Sequence, residues 1–560
     1  MADNFYLDNH DLAFHLKTPV VAELSRLREN DFKDACTRPD APPVDENAAL
    51  ALYERWLAKV GELSAQKIAP RAVAVDREGV TLQQNDVVFA PGTQENLREL
   101  VEAGLMGVML PRRYGGLNLP VTVYSMMTEM VSRADASLQN LFGLQDIAET
   151  ILLFGSDEQK ARFLPRFASG ELDGAMALTE PDAGSDLQSV QLAARYDEAS
   201  GKWLLNGKKH FITNGCAKVL LVLARSEEGS KDGRGLSLFL AEKSPQITVP
   251  RLEDKLGIHG SPTCELQFND APAELIGQRR RGLTRYVMSL MNGARLAISS
   301  QAVGVAEAAR RCAWDYTSKR SQFGKPLCDI PAVWEMLSRM DVLTAAGRTL
   351  LYETSACVDK RDAIAQLNEA GAGNDDTRNV EKAYGRLADL LTPMTKFFTT
   401  EMANQVAYDA IQCHGGKGYM RELNAERYYR DARIMNIYEG TTQMQVVAAI
   451  GGVMKQLLAP VMDELAALPF GEGLRPLAAR VADARRLSQE CLEMLNADDH
   501  GKLDLLARRM VRMESLIFVS LLLLRDAQRA PARRALAERF IWEFLPEVAM
   551  QATIVKTALS

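Results

Sequence analysis

The chain is poor in the features that mark several large protein classes. Its eight cysteines, at 36, 216, 264, 312, 328, 357, 413 and 491, are scattered and include no C-x-x-C pair. Neither a disulfide framework nor a zinc knuckle is expected, and no metal ligand set is assigned. Basic residues (66) are outnumbered by acidic ones (73), and no long basic run occurs. That argues against a nucleic-acid surface as the main business. The most apolar run, "SLIFVSLLLL" at 515–524, has ten residues. That is about half a membrane span, so a buried helix is expected there. The N-terminus, "MADNFYLDNHDLAFHL", is acidic and has no basic segment followed by an apolar one. It resembles neither a secretory signal nor an Arg-rich transit peptide, and a cytoplasmic location is expected. No internal repeat and no low-complexity tract interrupts the chain. The spacing of a P-loop is absent, and no G-x-G-x-x-G follows a strand, so any dinucleotide must be bound without a doubly wound sheet.

What remains is a 560-residue chain, 47% hydrophobic and 25% charged, long enough for three to four structural units. Residues 1–45 are expected as an N-terminal extension running into a Pro/Asp-rich linker, "TRPDAPPVDE". From 46 to 173 apolar residues recur at three- and four-residue spacing, as in "AALALYERWLAKVGELSAQKIAPRAV", and a helical region is expected. "SDEQKARFLPRFASGE" opens with Ser156 and carries Glu158 and Gln159 in its first turn, a helix start. Between 174 and 280 short β-rich runs such as "KVLLVLARS" and "TCELQFND" are punctuated by Gly, Asn, Asp and Pro. That texture predicts a small barrel or sandwich. Helical periodicity resumes at 281, breaks once in "NEAGAGNDDTRN", and continues through 453–560 as amphipathic helices.

Five stretches carry candidate chemistry. "ALTEPDAGSDL" (177–187) clusters turn residues whose amides and Ser185 hydroxyl suit a phosphate or a polar ring edge; a plain surface turn is the simpler reading. In "GKKHFITNG" (207–215), Phe211 and Thr213 share one side of an extended strand and could line a planar ligand; a half-buried strand closing in a type I′ Asn-Gly turn is the alternative. "YTSKRSQFGKPL" (316–327) offers Arg320 to a phosphate and Gln322 to a nucleotide, or ends a helix at Gly324. "AIQCHGGKGYM" (410–420) has glycines that permit close backbone approach. In "NIYEGTTQMQ" (436–445), Glu439 is either an ordinary acid at a helix start or a base aimed into a pocket. In an apolar pocket its pKa would rise toward neutrality, which suits proton abstraction.

Taken in order and at this spacing, "ALTEPDAGSDL", "FITNG", "RSQFGKPL", "QCHGGKGY", "RDARI" and "YEGTTQ" closely resemble the acyl-CoA dehydrogenase family over roughly 46–450. The resemblance implies an N-terminal helical domain, a middle β-barrel and a C-terminal four-helix bundle (281–452), with a helical extension (453–560) added. It implies non-covalent FAD and α,β-dehydrogenation of an acyl-CoA thioester, with electrons passed to electron-transferring flavoprotein. Glu439 would be the base for the pro-R α-proton, and its backbone N–H would hold the thioester oxygen. Leu178, Thr179, Ser185, Phe211, Thr213, Thr441 and Gln443 would serve FAD. Arg320, Gln322, Phe323, Gln412 and Gly416 would reach the FAD of a neighbouring subunit. Ser185, Asn292, Arg295, Tyr438 and Gly440 would line the substrate. Phe211 stands where many relatives carry Trp, and keeps an aromatic face without the indole donor. Some members place the base before an arginine in an earlier helix; here Ala294 precedes Arg295, which leaves 439 as the position with an acid.

The extension is similar to that of very-long-chain and methylthiopropionyl-CoA enzymes, and implies a homodimer. Its arginines, in "ARRMVRM" and "RAPARRALAERF", fit a solvated helix face, and membrane association is not expected. A role in fatty-acid or aryl-acyl degradation follows by the same resemblance. Arg133 and Arg421 are the arginines available for a dicarboxylyl substrate. An oxygen-using acyl-CoA oxidase and a catalytically silent FAD-binding scaffold are the alternative readings.

Overall fold

In a computed structural model, which describes residues 3–33, 42–84, 86–369, 371, 373–495 and 500–560, helices fill the two regions where three- and four-residue apolar spacing dominates, and two more, His10–Leu16 and Pro19–Arg28, form in the N-terminal extension. Two compact units result, one of 1–10 with 28–297 and one of 11–27 with 298–560.

In the first unit, Asp45 caps the Glu46–Leu63 helix by accepting from Ala48 N (2.7 Å), and Ala49, Tyr53, Leu57 and Val60 form its buried face. The spacing of those four residues is that of one helical stripe. Ser156 and Gln159 form a reciprocal capping box at the expected helix start. A small hairpin, β1 (Thr81–Gln83) and β2 (Asp86–Val88), interrupts the helices unannounced by the sequence pattern.

The expected β region holds β3 (Gly174–Ala177), β4 (Ala193–Asp197), β5 (Lys202–Thr213), β6 (Val219–Arg225), β7 (Leu236–Glu242), β8 (Ile247–Leu252) and β9 (Thr263–Ile276). β6, β4, β5, β9 and β7 pair in turn, and β7 pairs back onto β6, so the sheet closes into a barrel. Strand β6 explains why "KVLLVLARS" is apolar without alternation. Val219, Leu221 and Leu223 join a cluster with Ile147, Ile151 and Phe163 of the flanking helices. Leu220, Val222 and Ala224 join the second cluster, with Phe239, Leu266 and Phe268. Both faces of the strand are buried, so both must be apolar.

In the second unit, the Asp375–His414 helix packs against the Pro331–Glu369 helix and against the Thr442–Met454 helix. The apolar run at 515–524 lies inside the His500–Arg529 helix and is buried on every side. Among the described residues no single helix is long and apolar enough to cross a membrane; one bent pair, Thr442–Met454 with Ala459–Ala466, passes on length and composition. The "ARRMVRM" arginines do not simply face solvent. Arg508, Arg509 and Arg512 line a cavity of about 490 Å³ together with Phe397, Phe398 and Phe544.

On the same helix Glu514 is buried, and burial pushes its carboxyl up to about 7, with Arg485 opposing. A carboxyl raised in the folded state favours folding when protonated. The contribution is complete below its unfolded value near 4.5 and is lost as pH rises through about 7. Glu514→Gln is therefore expected to raise the melting temperature at pH 8 but not at pH 4.5. The difference in stability gained is on the order of 3 kcal/mol. Melting curves of both proteins across this range check it, and parallel pH profiles would refute it.

Candidate active site

In the first unit, the turn at 178–186 is fastened to β5 by a buried ion pair. Lys209 is fully buried and donates from Nζ to Glu180 Oε1 (2.8 Å) and to the Leu178 carbonyl (2.8 Å). Burial lowers its ammonium to about 8, with Glu180 opposing the shift. Glu180 also accepts from the backbone N–H groups of Gln191 (2.7 Å) and Leu192 (2.9 Å). His210 N donates to Thr179 O (2.9 Å). These bonds bring Leu178 and Thr179 beside Phe211. Both Glu180 and Lys209 lie inside the quoted motifs, but nothing in their spacing showed that they pair.

Strand β5 is not plainly extended at the candidate residues. Its register with β9 shifts between Lys209 and Ile212, and Phe211 adopts φ +59° with more than half its side chain exposed. A bulge of this kind re-aims a side chain. Phe211 and Thr213 still flank the buried Ile212 on the outer side. The type I′ turn at Asn214-Gly215 that the alternative reading offered is not formed. Only Asn214 has positive φ, its Nδ2 bonds Asp173 Oδ2 (3.0 Å), and β5 pairs with β4 and β9 rather than with β6. Ser185 is exposed in the turn. Arg295 is buried and donates from Nη1 to Asn292 Oδ1 (3.0 Å). Arg133 is not available to a substrate, because it is buried and forms a two-pronged pair with Asp8 (2.6 Å each).

In the second unit, the helix before Arg320 ends at Lys319, and a hairpin of β10 (Ser321–Gln322) and β11 (Lys325–Pro326) follows. Its two turn residues, Phe323 and Gly324, have φ +53° and +77°, the pattern of a type I′ turn. Phe323 sits where Asn or Gly is usual, and 92% of it is exposed. Tyr316 stacks on His414 at 4.4 Å, which brings this hairpin to the glycine-rich stretch after Gln412. Gln412 and Gly416 are exposed.

The loop carrying Glu439 lies further up the same helix. Glu401 Oε1 accepts from Asn436 Nδ2 (3.1 Å) and from Thr442 Oγ1 (2.7 Å), so it brackets the loop. Eleven residues separate Glu401 from Gln412, or about 16 Å of helix axis. Within one chain, Arg320, Gln322, Phe323, Gln412 and Gly416 are thus held apart from Tyr438, Glu439, Gly440, Thr441 and Gln443.

Glu439 and Gly440 both have positive φ, +55° and +88°. Lys396 Nζ donates to Met435 O (3.0 Å) and Gly440 O (2.8 Å), and Gln445 Nε2 donates to Glu439 O (3.1 Å) and Gly440 O (2.8 Å). Thr441 caps the Thr442–Met454 helix through Met444 N, as its sequence suggested. Tyr438 Oη donates to Gln301 Oε1, and burial, with the Glu439 charge adding, holds the phenol well above its usual range. Thr441 and Gln443 line a cleft of about 530 Å³ with Asn404, Tyr408, Tyr429 and Arg433. Lys396, Glu401 and Gln445 were missed in the sequence; Lys396 as the single charge in "LLTPMTKFFTT" (390–400) was the available signal.

The chain matches known proteins along most of its length. The acyl-CoA dehydrogenase N-terminal domain matches 53–171, the middle domain 175–271, and the C-terminal domain 281–450; a further acyl-CoA dehydrogenase C-terminal model matches 457–544. The chain is 33% identical over 470 residues to 3-methylmercaptopropionyl-CoA dehydrogenase of Ruegeria pomeroyi, spanning 77% of this chain and 76% of that one. It is 36% identical over 355 residues to an acyl-CoA dehydrogenase of Bacillus subtilis, spanning 62% and 86%. Among solved structures, butyryl-CoA dehydrogenase of Megasphaera elsdenii superposes with a TM-score of 0.60 at 29% identity, covering 72% and 98%. The Bacillus anthracis acyl-CoA dehydrogenase complexed with FAD superposes with 0.79, covering 91% and 88%; at 24% identity it speaks to the fold.

Proposed function

Because the chain belongs to the acyl-CoA dehydrogenase family, we propose that it dehydrogenates an acyl-CoA thioester to the trans-2-enoyl-CoA and passes the electrons to electron-transferring flavoprotein. The observation that carries this reading is the Glu439 loop, a carboxylate on a positive-φ turn held by two buried side chains and followed by a capped helix. Strained backbone of this kind gathers at functional sites.

The residues present fit FAD. An exposed aromatic at Phe211, the turn fastened by Lys209, and the cleft at Thr441 and Gln443 offer a ring face, turn amides and hydroxyl and amide groups. When bound, FAD supplies the acceptor for the hydride that leaves the β-carbon. Glu439 takes the α-proton, and the electron pair of that C–H bond becomes the new double bond. The Glu439 backbone N–H holds the thioester oxygen, where negative charge develops, and a donor fixed in advance lowers the barrier most. Gly440 leaves room beside the acid, and Ser185, Asn292, Arg295 and Tyr438 contact the thioester or its CoA portion. Leu178, Thr179, Phe211 and Thr213 orient the ring.

Arg320, Gln322, Phe323, Gln412 and Gly416 serve the FAD of a second copy in a homodimer. The exposure of Phe323 and the 16 Å offset support that assignment. Light scattering at twice the 61.8 kDa chain mass is the corresponding check.

The direct test is an anaerobic titration of the flavin-loaded protein with straight-chain, branched, aryl and thioether acyl-CoA thioesters. Loss of the flavin absorbance with at least one of them is expected, and its persistence with all would overturn the reading. Slow reoxidation in air, restored by electron-transferring flavoprotein, separates a dehydrogenase from an oxidase, which would release peroxide.

A further inference from the structure

We propose that Gln445 and Lys396 are positioning residues that hold Glu439 in its left-handed backbone conformation; this rests on the reading of Glu439 as the base. A non-glycine residue at φ +55° brings its Cβ close to the following carbonyl oxygen, which is unfavourable. Such a state persists only where its surroundings over-determine it. Here the surroundings are two side chains, both fully buried. The Gln445 amide donates to two consecutive carbonyls, Glu439 O (3.1 Å) and Gly440 O (2.8 Å). The Lys396 ammonium donates to Gly440 O (2.8 Å) and Met435 O (3.0 Å). Three carbonyls within one loop are therefore fixed by donors from two different helices. A buried ammonium is costly to desolvate. An apolar residue would pack the Asp375–His414 helix without that cost, and the position of Lys396 under the loop gives it a use. Gly440 belongs to the same device. A Cβ there would lie 2.6 Å from Gln445 Nε2, so the amide packs directly against the glycine.

Neither side chain takes part in proton transfer, so their action is on where the Glu439 carboxylate and its backbone N–H point. Gln445→Met keeps the volume and removes both donors; Gln445→Glu keeps the shape and sets oxygens against two carbonyls. Both, as flavin-loaded full-length protein, are expected to bind FAD normally. Amide hydrogen exchange over 436–442 should rise at least tenfold, and kcat per bound flavin should fall at least tenfold, with KM within twofold. Unchanged loop exchange and unchanged kcat per flavin, with only a lower melting temperature, would mean ordinary packing and overturn the inference. Glu439→Gln measured in parallel separates the two layers. If that variant still reduces its flavin, the base assignment fails. If it is silent while both Gln445 variants keep the parent rate, the positioning role alone fails.

Discussion

Replacing Glu439 with glutamine is expected to lower the rate of flavin reduction by acyl-CoA about 10³-fold, within the span a positioned general base contributes. The amide matches the carboxylate in shape, so the substitution removes the proton acceptor and keeps the side chain's volume. The carbonyl bonds from Lys396 and Gln445, and the Thr441 cap, do not involve the Glu439 side chain. FAD content is therefore expected to stay at the parent level. Glu401 is engaged with Asn436, Thr442 and Arg508, and Ala294 fills the position that carries the base in some relatives. Stopped-flow reduction under anaerobic conditions checks the prediction, and a rate within tenfold of the parent would contradict it.

The largest effect on stability is expected at Glu307. It is fully buried and accepts from three arginines: Arg310 (2.8 and 2.9 Å), Arg311 and Arg348 (2.8 Å). Arg348 is itself 1% exposed and also pairs with Asp11 (2.7 Å), which pairs in turn with Arg533. Burial alone would raise the Asp11 carboxyl, but these two arginines bring it down to about 2. Glu307→Gln leaves three guanidinium groups around a neutral amide. Breaking a buried pair from one side typically costs about 3–5 kcal/mol; Arg348 keeps Asp11 and Arg310 keeps Asp341, but the charge at the centre of the three is lost. For a unit of this size that is a fall in melting temperature on the order of 10 °C. Calorimetry on the intact chain measures it, and a shift below about 2 °C would show that water or rearranged arginines absorb the loss.

The order of elements was legible because it depends on local pattern. Helical spacing, the Ser156 capping box, the Thr441 cap and the buried run at 515–524 are each set by neighbours within a few residues. The family resemblance drew attention to Glu439 and to the two flavin motifs. What the pattern did not carry is partner choice across long separations. Glu180 and Lys209 stand in two quoted motifs, yet their pairing depends on how a turn folds over β5. The Phe323-Gly324 turn was hidden because an aromatic is unusual at positive φ, and the strain at Glu439 has no composition signal. Arg133 pairs in the fold with Asp8, 125 residues away in the sequence. The linker at 37–46 lies partly outside the described residues.

The Asp11–Arg533 contact has a consequence for synthesis of the chain. Its partners are 522 residues apart, so at about 5–20 residues per second Asp11 leaves the ribosome roughly 25–100 s before Arg533 exists. During that interval the His10–Leu16 helix waits for its partners, and the buried arginine cluster stays incomplete until its last member, Arg533, is made. Truncation from the C-terminus would leave this cluster incomplete even in chains that retain every residue of the Glu439 loop.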